Sequence, residues 1–112
     1  FDRVMSYSVF HYFKSEHDVF KTINQMLRLT KKGGIILIGD LLDKSKEKEI
    51  KSQSFPKIEA DLPLIKRHSE WLFLDFDSIF NFLKGRAARF ELLDQPKSFK
   101  TSHYRKDIKI WK

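Results

Sequence analysis

Gly33-Gly34-Ile35-Ile36-Leu37-Ile38-Gly39-Asp40 is the stretch on which the fold class turns. Four consecutive large apolar residues, with glycines before them and a glycine and an acid after, predict a strand buried on both faces. Central parallel strands have that character. Upstream, Ser15-Glu16-His17-Asp18 has a capping-box pattern, with Ser15 as N-cap and Asp18 reaching back to its amide. Val19, Phe20, Ile23, Met26 and Leu27 then recur at helical spacing. Lys31 and Lys32 suit the negative end of the helix dipole, and Gly33 is placed to take a left-handed C′ conformation. Further upstream lies the apolar run Val4 to Phe10, with Arg3 to Ser6 read as a strand and Phe10-His11-Tyr12-Phe13 as an aromatic turn. Strand, helix, Gly-Gly and strand make one βαβ unit.

Downstream of Asp40 the pattern changes. Leu42 to Ser54 is dominated by Lys, Glu and Ser and reads as either a solvated helix or a loop. Pro56 and Pro63 break any long regular element. Leu42 to Glu70 is therefore taken as an excursion from the sheet, a place for a lid or a substrate-binding segment. Order resumes at Trp71-Leu72-Phe73-Leu74. Asp77 or Ser78 is expected to cap a short helix carrying Ile79, Phe80, Phe82 and Leu83 that stops at Gly85. Arg89 to Leu93 reads as a strand. Tyr104 to Lys112 alternates with Ile108 and Ile110 on one face, and the two segments form a long antiparallel hairpin.

A chain of 112 residues favours one domain, and 41% apolar with 33% charged residues is a globular balance. No apolar run approaches the roughly 20 residues that span a bilayer, so no membrane partner is expected. With no cysteine there is no disulfide framework or thiolate zinc site, which fits a reducing cytoplasm. The net charge of +7 raises the question of nucleic acid. Arg86, Arg89, Lys97, Lys100, Arg105 and Lys106, with Phe99 and Tyr104, are the residues such a surface would use. No basic run exceeds two residues and no RNA-binding motif accompanies them, so a lysine-rich solvated surface is the preferred reading.

Phe1-Asp2-Arg3-Val4-Met5-Ser6-Tyr7-Ser8-Val9-Phe10-His11-Tyr12-Phe13, followed by Leu27 to Lys32 and Gly33 to Asp40, resembles the class I S-adenosylmethionine-dependent methyltransferases, and more narrowly their C-terminal half. The family pattern is a Phe-Asp-x-Val strand, a loop containing a histidine, a helix, and a Leu-x-x-Gly-Gly turn into the next strand. The tail also fits, with a short helix, a strand and a final antiparallel strand inserted beside it. The resemblance implies an α/β, partial Rossmann-like sheet with helices on its faces. Residues 1–112 would be the C-terminal half of a methyltransferase domain, beginning at the fourth of seven strands, with residues 42–70 variable. Gly33, Gly34, Gly39 and Gly85 form no Gly-rich turn between a strand and a helix, so the part of the family's site that grips adenosine is not found in this sequence. The isolated chain is therefore expected to bind the cofactor weakly and not to turn over.

The resemblance also names site residues. Ser6, Tyr7, Ser8 and Val9 fall where the family's fourth strand meets the methionyl part of S-adenosylmethionine; alternatively they end a strand and pack. His11 is a candidate base, or polariser of an acceptor hydroxyl, although a histidine among aromatics is also a common packed residue. Asp40 is expected at the end of its strand, pointing to the same rim, where it binds the acceptor or caps the next segment. Trp71, Phe73 and Phe76 either line an acceptor pocket or pack in the core. His17, His68 and His103 are dispersed and lack ligand spacing, so no metal is expected. The partner implied is a small-molecule methyl acceptor. Val4 and Met5 would leave an open strand edge, through which a homodimer is expected. A basic nucleic-acid module and a non-catalytic interaction domain remain as alternatives.

Overall fold

The computed structural model describes residues 1–52 and 70–112. Pro56, Pro63 and His68, with most of the expected excursion, lie outside them. Among the described residues, strand β1 (Arg3–Tyr7) leads through a 3-10 turn at Phe10–Tyr12 into helix α1 (Glu16–Leu29). Strand β2 (Ile35–Asp43) comes next, then a 3-10 turn at Lys44–Lys46 and helix α2 (Glu47–Lys51). Beyond residue 70 come strand β3 (Phe73–Leu74), helix α3 (Phe76–Leu83), and strands β4 (Arg89–Asp94) and β5 (Arg105–Trp111). None of the described helices is long and apolar enough to cross a membrane.

The sheet runs β1-β2-β5-β4, with β3 also on β2. β1 and β2 are parallel, and Met5 is paired with Leu37. β5 is antiparallel to both β2 and β4, so the last strand is inserted between those two. Leu42 is bracketed by Phe73 on one side and Arg105 on the other. β3 thus takes the flank of β2 that β1 leaves after Tyr7.

Register explains the core. Val4, Ile36, Ile110 and Phe90 form one row across the sheet, and Ile38, Ile108 and Leu92 the next. Against these rows pack Val19, Ile23, Met26 and Leu27 of α1 and Ile79 and Leu83 of α3. Both helices therefore lie on one face, where helices on both faces were expected. The reason is geometric. β1 to β2 and β3 to β4 step the same way across the sheet, and crossovers of one hand stepping one way put their helices on one side. On the opposite face Met5 is 69% exposed, while Ile35 and Leu37 are only half-buried. Over Ile35–Ile38 the strand is thus fully buried on the face of Ile36 and Ile38 alone, where burial on both faces was expected.

Local signals set the ends. Ser15 Oγ accepts from the Asp18 amide at 3.4 Å, as the capping pattern predicts. α1 stops earlier than expected, with Thr30 as C-cap, and Gly33 (φ +82°) serves the turn beyond. At α3 the cap is Asp75, which accepts from the Asp77 amide at 3.0 Å, rather than Asp77 or Ser78. The polar stretch after Leu42 is more than a solvated surface. Ile50 is buried against Leu42, Phe73 and Tyr104, with Trp71 packed beside them.

Candidate functional site

The expected strand Ile35 to Ile38 continues to Asp43, and what carries it past Asp40 is a β-bulge. Ile38 pairs with Ile108 and Leu41 with Lys106, so Gly39 and Asp40 together oppose Asp107 alone. Asp40 takes φ +60°, a left-handed conformation that Asp tolerates better than most residues. Asp40 is thus a bulge residue within a strand, not its last residue. Its amide donates to Asp107 Oδ1 at 3.0 Å. Tyr7, the register partner of Gly39, lays its ring where a Gly39 side chain would otherwise be.

The bulge turns the Asp40 carboxylate into a cluster whose other members come from the ends of three strands. Ser8, itself at φ +58°, donates its hydroxyl to Asp40 Oδ2. Gln95 Nε2, just beyond β4, donates to Asp40 Oδ1 at 2.6 Å and to Asp107 Oδ1 at 3.1 Å. Arg105 Nη1, at the start of β5, lies 3.1 Å from Asp40 Oδ2. Burial alone would raise the Asp40 carboxyl, but the bonds from Ser8 and Gln95 and the charge and bond of Arg105 outweigh it and hold it below the ordinary range. Burial, with the charges of Asp107 and Asp40, pushes the Tyr7 phenol upward.

His11 is buried in the turn after β1. Its carbonyl accepts from the Leu72 amide at 2.9 Å. Its ring lies 4.1 Å from that of Tyr12 and edge-on to Trp71 at 5.2 Å. Burial, and then the charge of Arg105, lower its pKa to about 4 against a smaller opposing pull from Asp40. His11 is therefore a neutral imidazole at neutral pH. Its Nδ1 is buried with no hydrogen-bond partner among the described residues, as are Gln95 Oε1 and Arg105 Nε.

The named candidates are thus partly assembled. Ser8 and Asp40 touch, Tyr7 covers the bulge, and His11 adjoins Trp71. Ser6 sits half-buried in the β1–β2 register opposite Ile38, and Val9 is half-exposed at the head of the 3-10 turn. Phe73 packs in the second core cluster and Phe76 against the main one. Gln95 and Asp107 are members that the sequence did not point to, and it offered Arg105 only as a surface cation. Of the other basic residues named, Arg86 lies over Phe82, Arg89 over Trp111, and Lys106 pairs with Asp94. No three His, Asp or Glu side chains among the described residues are grouped to hold a metal ion.

No family model and no curated protein matches the sequence. Solved structures do share its fold, two of them as follows. One is a “possible exported protein” from Bordetella parapertussis, with TM-score 0.66 and 11% identity over all of this chain and 39% of the other. The second is a “putative O-methyltransferase” from Nostoc punctiforme, with TM-score 0.55 and 16% identity over all of this chain and 32% of the other. The chain spans about a third to two fifths of the length of these structures, and at such identities the likeness is one of mixed α/β fold alone.

Proposed function

We propose that this chain is the C-terminal half of a class I methyltransferase domain, whose whole moves a methyl group from S-adenosylmethionine to a small-molecule acceptor. The observation carrying the reading is the strand order β1-β2-β5-β4, with a parallel pair first and the antiparallel last strand inserted. That is the tail arrangement the sequence resemblance implies, and the fold shared with the Nostoc structure agrees with it.

The residues present suit one side of the cofactor. Tyr7 and Val9 are both accessible at the end of β1, and the left-handed Ser8 between them turns the backbone there. These three, with Ser6 below them, would hold the methionyl portion. The bound cofactor supplies an electrophilic methyl group. The protein's task is then alignment of the acceptor in a site shielded from water. His11, with its conjugate acid near pH 4, is too weak a base to take a proton from a hydroxyl at neutral pH and acts as a hydrogen-bond acceptor that orients it. Asp40, with both oxygens engaged, orients the rim rather than exchanging protons.

The test pairs two polypeptides, this chain alone and one in which it is joined to whatever its gene encodes upstream, where the reading expects a Gly-rich loop roughly 60–90 residues earlier, the span of three βα units. Calorimetric titration with S-adenosylmethionine should give micromolar affinity for the longer polypeptide and none for the 112 residues. Micromolar binding by the short chain would refute the half-domain reading. No binding by the longer one would refute methyl transfer.

A further inference from the structure

The cation at the centre of the cluster comes from a residue whose sequence context suggests a surface. The Arg105 side chain is only 11% exposed. Beyond its pairing with Asp40, its guanidinium carbon lies 5.3 Å from the ring centroids of both Trp71 and Tyr104. Trp71 in turn meets His11 edge-on. Asp40, Arg105, Trp71 and His11 therefore form one line of contact from β2 through β5 and the segment before β3 to the turn after β1. We propose that Arg105 is the positioning residue of this site, seated by Asp40, fixing the indole of Trp71 against His11 and setting the electrostatic surroundings of that imidazole.

Three features support the assignment. A planar guanidinium both pairs with a carboxylate and stacks on an aromatic face, which an ammonium does less well. The bulge aims Asp40 at Arg105, and Gln95 and Ser8 hold the carboxylate from its other sides, so the seat is rigid. Third, the described charges acting on His11 are Arg105 from β5 and Asp40 from β2, of opposite sign, with the neutral Tyr12 ring against it. Removing the cation and removing the anion should therefore move His11 in opposite directions. The assignment does not depend on methyl transfer.

The experiment is a histidine-ring NMR titration of the full chain, with Trp71 indole resonances read in parallel. The His11 midpoint, about 4 in the unaltered protein, should rise by about one unit or more in Arg105→Met. In Asp40→Asn, whose amide oxygen still accepts from Arg105 and keeps it seated while the anion is lost, it should fall or stay. Arg105→Lys keeps the charge, so its midpoint should stay low while the Trp71 indole signal shifts. Loosened packing alone would raise the midpoint in both Arg105→Met and Asp40→Asn, and that result overturns the proposal. So does an unmoved midpoint in folded Arg105→Met. If Arg105→Met does not fold, an unmoved Trp71 signal in Arg105→Lys overturns it, and a shifted signal with a low midpoint supports it.

Discussion

Acid should destabilise this protein as pH falls from about 6.5 toward 4, and His11 is the reason. An unfolded histidine protonates near pH 6.5, whereas the buried His11 resists protonation until about pH 4. Between those values the unfolded chain binds a proton that the folded chain excludes. Stability contributed by the neutral imidazole is therefore complete above about pH 6.5 and is lost as pH falls toward 4. The full difference corresponds to roughly 3 kcal/mol, of which about 2.5 kcal/mol should be gone at pH 4.5 relative to pH 7.5. That is a large share of the 5–15 kcal/mol typical of a domain.

Urea unfolding of the unaltered chain and of His11→Gln, each at those two pH values, isolates the effect. The glutamine variant should be less stable at pH 7.5, since the packing on Trp71 and Tyr12 is altered. It should nevertheless lose about 2.5 kcal/mol less on acidification. If both lose the same stability between pH 7.5 and 4.5, His11 is not held neutral by its surroundings, and the electrostatic account of the cluster fails.

Other consequences are equally direct. Asp40→Ala should cost about 3–5 kcal/mol, since it strands Arg105 in the interior, and Asp40→Asn less, because Asn tolerates φ +60° and keeps an acceptor; a loss under about 1 kcal/mol for alanine in chemical denaturation would contradict the pair. The stability from the depressed Asp40 pKa is present above about pH 4 and disappears as pH falls through its folded value, below the His11 window. Gly34→Ala should be worse than Gly33→Ala. A Cβ at Gly34 meets the carbonyl oxygens of Asp2 and Lys31, each at 2.9 Å, whereas at Gly33 it meets open space and only the left-handed backbone, worth about 1 kcal/mol, resists it. Equal melting temperatures for the two would refute that distinction. The 112-residue chain should also self-associate through the side of β1 that no described strand pairs in sedimentation equilibrium, and Met5→Lys should abolish this; a monomer at all concentrations would rule it out.

Much of the framework is legible in the sequence because it is written in local periodicity. The helical recurrence from Val19 to Leu27, the Ser15 cap and the Ile108/Ile110 alternation each state their own structure. Where sequence and structure part, the deciding contact is distant. Gly39-Asp40 ends a strand by any local rule, and only the facing Asp107 and the ring of Tyr7 show that the strand goes on. Asp75 and Asp77 both suit a cap, and the choice belongs to how Ile79 and Leu83 meet the sheet. Arg105 sits in a basic segment and looks like surface until Asp40 is beside it. A signal was available even so. The alternation that places Ile108 and Ile110 inward places Arg105 and Asp107 together on the other face of β5, opposite-signed and two residues apart.

The bulge ties fold and site to one cause. A regular strand through Gly39 and Asp40 would have paired Asp40 across the ladder and alternated its side chain with Leu41. Placing two residues against Asp107 instead leaves the Asp40 amide off the ladder, and the Asp107 side chain takes it up. Just beyond the bulge, the last residues of β2 pair with β3 on the flank that β1 has left. That pairing brings Trp71, two residues ahead of β3, within reach of His11. Straightening the strand would remove Asp40 from Arg105. The polar cluster is thus not an addition to a finished sheet. It is the means by which the sheet satisfies its own irregularity.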